Sequence, residues 1–61
     1  MERKVTKADL ESVLRTMLFY NRADGYMAFV ENKLMFFDAN PESIGGAYIT
    51  REEIEQAIKE Y

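Results

Sequence analysis

Residues 26–38 read YMAFVENKLMFFD, two apolar runs on either side of Glu31-Asn32-Lys33. No other stretch limits the fold so tightly. Short runs rich in aromatic and aliphatic residues around a polar break predict a β-hairpin. Side chains alternate between the two faces of a strand, so the loop decides which residues share a face. A two-residue loop can be Glu31-Asn32 or Asn32-Lys33. Both choices put Met27, Phe29, Leu34 and Phe36 on one face and Tyr26, Ala28, Val30, Met35 and Phe37 on the other. An antiparallel sheet with one solvated face normally alternates apolar with polar residues. This hairpin is apolar on both faces. One set is expected in the core, and the other is a surplus that needs a reason.

The flanking sequences supply the helices. In residues 5–20, VTKADLESVLRTMLFY, apolar residues fall at Leu10, Val13, Leu14, Met17 and Leu18, the spacing of one helical face. Thr6 is placed as an N-cap, with Asp9 at the third helical position. Val5 before the cap and Leu10 inside it make a hydrophobic staple. The helix should end near Tyr20, where Asn21, Asp24 and Gly25 bring turn chemistry. Residues 39–46, ANPESIGG, hold the one proline and two of the three glycines and read as a loop. Ala47 to Ile49 offer an optional short third strand, and a last helix starts at Arg51. The expected fold is α+β, a two-layer sandwich of order α-β-β-(β)-α, with both terminal helices on one face of the sheet. With 61 residues, the chain is expected to form one domain over 1–61.

The two helix starts repeat each other. VTKADLESVL and ITREEIEQAI match as Val5 and Ile49, Thr6 and Thr50, Lys7 and Arg51, Asp9 and Glu53, and Leu10 and Ile54. Each carries a staple, a Thr cap and an acid three residues on. Each also carries a charged ladder at i to i+4 spacing, Lys7-Glu11-Arg15 and Arg51-Glu55-Lys59. The second copy also has the cadence of the exit of an EF-hand calcium loop. If Glu53 were ligand 12 of that loop, position 1 would be Glu42, and positions 3 and 5 would be Ile44 and Gly46, which offer no side-chain oxygen. Asp38, Asn40 and Glu42 have alternating ligand spacing, but Asp38 to Glu53 spans sixteen residues rather than twelve. A degenerate calcium module is therefore the weakest reading. Helix capping explains Glu53 without a metal, and no cofactor is expected.

The helix–hairpin–strand–helix order is similar in topology to the double-stranded-RNA-binding domain. That family places lysines at the start of its last helix to grip phosphates. Here the same place reads Thr50-Arg51-Glu52-Glu53, which repels phosphate. The whole chain has 8 Lys and Arg against 11 Asp and Glu, a net charge of −3, so direct nucleic-acid binding is not expected. No histidine or cysteine is present, which removes imidazole catalysis, thiolate chemistry and the usual zinc sites. Ser12 and Ser43 have no histidine to activate them, and an enzyme is not expected. No apolar run approaches the roughly 20 residues of a membrane span. The start, Met-Glu-Arg-Lys, is unlike a secretory signal, so a cytoplasmic protein without membrane contact is expected.

Subtraction leaves the surplus sheet face. Methionine and aromatic residues with few charges have the composition of a contact surface. The expected function is a small acidic protein-interaction module that binds a partner protein as an inhibitor or adaptor. Phage-encoded inhibitors of bacterial defence systems belong to that class. Its candidate contact residues are Tyr26, Val30, Met35 and Phe37 on the sheet. Glu52 and Glu55 join them on the last helix, whose carboxylates would suit mimicry of nucleic-acid phosphates, although Arg51 and Lys59 interrupt the stripe. The alternative is a homodimer in which the same face, or the hairpin edge, pairs with itself across a two-fold axis.

Overall fold

The computed structural model describes residues 4–40, 42 and 45–61. The elements run α1 (Lys7–Phe19), β1 (Asp24–Val30), β2 (Lys33–Phe37), β3 (Ala47–Thr50) and α2 (Arg51–Glu60). This is the expected α+β order, and the third strand is real. The sheet order is β2-β1-β3 with both pairings antiparallel, so the first strand is the central one. The helices pack against each other on one face of the sheet, α1 over β2 and α2 over β3. Pro41, Ser43 and Ile44, and the Met-Glu-Arg start, lie outside the described residues.

Local chemistry sets the boundaries. At both helix starts the capping box closes. The Thr6 hydroxyl accepts from the Asp9 N–H at 3.2 Å, and the Asp9 carboxylate accepts from the Thr6 N–H at 2.9 Å. Thr50 and Glu53 repeat this at 3.2 and 2.9 Å. Both boxes satisfy backbone donors that the first helical turn leaves without partners. The second box also blunts β3, because the N–H of its last residue is taken by a carboxylate. α1 ends in a Schellman motif. The Arg22 N–H reaches the Met17 carbonyl at 2.8 Å and the Asn21 N–H reaches the Leu18 carbonyl at 3.1 Å. Asn21 sits between them at φ 55, a left-handed conformation that asparagine tolerates better than most residues. The charged ladders do not close as ion pairs among the described residues. The pair that forms there is Arg22–Asp38, at 3.0 Å.

Between the two loops open to the sequence, the chain takes Glu31-Asn32. Val30 pairs with Lys33, and Glu31 and Asn32 have φ 53 and 66. Positive φ at both central residues is the type I′ turn, whose twist matches that of paired strands. The remaining register follows as Phe29–Leu34, Ala28–Met35, Met27–Phe36 and Tyr26–Phe37.

The core is Leu10, Val13, Met17, Leu34 and Ile54, ringed by Val5, Leu14, Met27, Phe36, Ile49, Ala57 and Ile58. Met27, Leu34 and Phe36 face the helices as the alternation requires. Two expectations fail at the margins. Phe29 shares their parity yet is 37% exposed, while Leu34 across the same rung is 6% exposed, because α1 packs over β2 and leaves this end of β1 less covered. Leu18 is 53% exposed, because one helical turn past Leu14 it has rotated out of the seam that Val13 and Met17 fill. Gly25 is buried for a steric reason. A Cβ there would lie 2.4 Å from the Phe36 ring, so the missing side chain is the space that the phenyl occupies.

Candidate interaction surface

The sheet face turned away from the helices is built by parity. From β1 it receives Asp24, Tyr26, Ala28 and Val30, from β2 Lys33, Met35 and Phe37, and from β3 Tyr48 and Thr50. Antiparallel partners share a face, so five rungs build it: Val30–Lys33, Ala28–Met35, Tyr26–Phe37, Tyr26–Tyr48 and Asp24–Thr50. Its centre is apolar, and its charges, Asp24 and Lys33, stand at opposite ends of the strands.

Exposure varies across this face. Met35 is 40% and Tyr48 56% exposed, whereas Tyr26, Val30 and Phe37 are half-buried. Ala28 is 6% exposed even though no helix among the described residues lies above it. A lone methyl on the central strand is shadowed by larger neighbours, with Met35 across from it and Tyr26 and Val30 two residues away on the same face. The result is a shallow apolar floor edged by bulkier side chains.

One corner is more ordered than the rest. The Tyr26 and Tyr48 rings meet edge to face, 5.4 Å between centroids at 66°. The Tyr48 hydroxyl donates to Asp24 Oδ2 at 3.1 Å. That hydrogen bond, more than partial desolvation and the nearby negative charges, holds the Tyr48 phenol above the usual tyrosine pKa. The contact also fixes the rotamer of an exposed aromatic side chain, which would otherwise sample several.

At the β2 edge of the sheet, where α1 ends, lies an open cleft of about 520 Å³. Thr16, Tyr20, Arg22, Phe36, Phe37 and Asp38 line it. The Arg22–Asp38 pair stands at this cleft, with the Arg22 side chain about half and the Asp38 side chain about two-thirds exposed. Asp38 therefore serves an ion pair, and the Glu53 carboxylate is engaged by the N–H and hydroxyl of Thr50.

The residues singled out from sequence divide into two groups. Tyr26, Val30, Met35 and Phe37 fall together on the open face. Glu52 and Glu55 are exposed on α2, in the helix layer on the far side of the sheet, so they do not extend that surface. Sequence reasoning missed Tyr48 and Asp24 as members of the face. The signal was a third strand whose parity could be assigned only once its partner was known. With β3 on the flank of β1, Tyr48 falls opposite Tyr26. The chain matches no protein-family model, no curated protein and no solved structure. No helix among the described residues is long and apolar enough to cross a membrane.

Proposed function

We propose that the protein is a small acidic interaction module that binds a partner protein through the open sheet face, acting as an inhibitor or adaptor rather than by turnover. The observation that carries this reading is the face itself: Tyr26, Val30, Met35, Phe37 and Tyr48 around the Ala28 floor, with both helices on the opposite side. A two-layer domain needs one apolar sheet face for its core, and a second one adds nothing to folding unless something covers it. Aromatic and methionine side chains are the residue types that anchor protein interfaces, and rings already held by neighbours lose little entropy on binding. The net charge of −3 favours encounter with a basic partner surface.

The test is capture from a host lysate on immobilised protein, with Met35→Lys and Tyr48→Lys as face variants and Glu55→Gln as a helix-layer control. Thermal melts establish that each variant folds. A protein retained by the parent chain and by Glu55→Gln, and lost with both face variants, supports the reading. Sedimentation equilibrium provides the opposing outcome. A dimer at micromolar concentration that Met35→Lys dissociates would replace the foreign partner with a second copy.

A further inference from the structure

Asp24 stands at the ordered corner of the open face, and its carboxylate has no cationic partner among the described residues. The Tyr48 hydroxyl uses Oδ2, while Oδ1 makes no hydrogen bond there. The ion pair of this region goes to Asp38 instead, which holds Arg22. Beside the carboxylate are the two edge-to-face tyrosine rings, with Tyr48 56% exposed. Asp24 and Tyr26 are two residues apart on β1, and Thr50 and Tyr48 face them from β3, so all four share one face. Aromatic faces carry negative potential, and so does a carboxylate. A second carboxylate, Glu53, adds its charge to the field at the Tyr48 hydroxyl. The corner is therefore anionic and aromatic at once, within a chain of net charge −3.

One protein side chain matches that combination. Arginine offers a planar, weakly hydrated cation that lies flat on a tyrosine ring while its fork donates to a carboxylate oxygen. Lysine matches the charge but not the plane. We propose that Asp24, Tyr26 and Tyr48 form a subsite for an arginine side chain of the partner protein, at the edge of the apolar face. The subsite rests on the interaction-module reading and deepens it, because it supplies the polar contact that fixes the orientation of a partner on an otherwise featureless apolar floor. Tyr48 serves twice. Its hydroxyl positions the carboxylate, and its ring provides part of the platform.

The experiment titrates the intact protein with acetyl-arginine amide, and separately with acetyl-citrulline amide, which has nearly the same shape and no charge. The readout is the ring and amide shifts of Tyr26, Tyr48 and Asp24. The expected result is saturable movement with arginine in the millimolar range, weakened several-fold by added salt and at least tenfold smaller with citrulline. Asp24→Asn should abolish it, and Tyr26→Leu should weaken it, with the fold unchanged by amide spectrum. Equal response to citrulline, an unaltered response in Asp24→Asn, or no movement at these residues overturns the subsite. Its failure is separable from that of the parent reading. If lysate capture depends on Met35 while arginine leaves the corner untouched, the subsite alone falls. If arginine binds and nothing is captured, the module reading falls, and the corner stands as a guanidinium site without its partner protein.

Discussion

Phe36 and Phe37 are neighbours in sequence with opposite employment. Phe36 lies on the helix side, over the Cα of Gly25 and against the core, while Phe37 faces the other way, across from Tyr26. Phe36→Ala should cost about 3 kcal/mol, because the vacated space cannot collapse onto a glycine. Phe37→Ala should cost about 1 kcal/mol and fall mainly on partner binding. Urea melts of the two variants check this, and comparable losses would mean that both faces are packed. The alternation that separates the two phenylalanines was legible from YMAFV and KLMFF alone. The exposure of Phe29 was not, because parity says which way a side chain points and not how far the helices reach. Tyr48 carries a prediction of its own. Its neutral hydroxyl donates to Asp24, so its pKa is raised on folding. The sign follows from proton linkage: this contribution is complete below the unfolded tyrosine pKa of about 10 and is lost as pH climbs through the folded value. A ring-shift titration should place Tyr48 higher in the parent chain than in Asp24→Asn. Identical titrations in the two would remove the hydrogen bond from the account.

Among the elements, the helix starts were the most readable part of the chain. Capping depends on residues three apart, so Thr6 with Asp9 and Thr50 with Glu53 could be assigned without tertiary information, and both boxes form. The ladders at i to i+4 spacing were equally legible and yet form no ion pair among the described residues, which agrees with the small worth of solvated pairs. Thr6→Ala and Thr50→Ala should each cost about 1 kcal/mol. The effect at Thr50 should be the larger, since this residue also terminates β3 and its neighbour Arg51 donates a backbone N–H to Ala23 at 2.8 Å. Denaturant midpoints decide it, and a Thr50 variant milder than its Thr6 counterpart would argue that the junction adds nothing to the cap. The candidate face was half legible at this scale. Its hairpin members followed from period two, whereas Asp24 and Tyr48 needed the pairing of β1 with β3, a contact between residues more than twenty apart.

For the molecule as a whole, the two helices over a three-stranded sheet leave one sheet face without a helix among the described residues, and the middle of that face is apolar. The two helices are tied as well: the Tyr61 hydroxyl donates to the Val5 carbonyl, and the C-terminal end of α2 lies beside the start of α1. The order β2-β1-β3 carries a further consequence, which concerns time. β1 closes onto β2 across a two-residue loop, a step a chain segment can complete by itself. Its other flank stays bare until residues 47–50 return from the far side of the loop, and closing that longer span costs more entropy before any contact rewards it. Pulse-labelled hydrogen exchange during refolding should therefore find the amides of Lys33 and Met35 shielded earlier than those of Ala47 and Ile49. Simultaneous shielding would make the sheet a single step. If the lag is real, every refolding molecule passes through a moment in which the Gly25–Met27 edge is an open template, and the speed with which α2 brings β3 home decides whether that edge finds its own strand or a neighbour's.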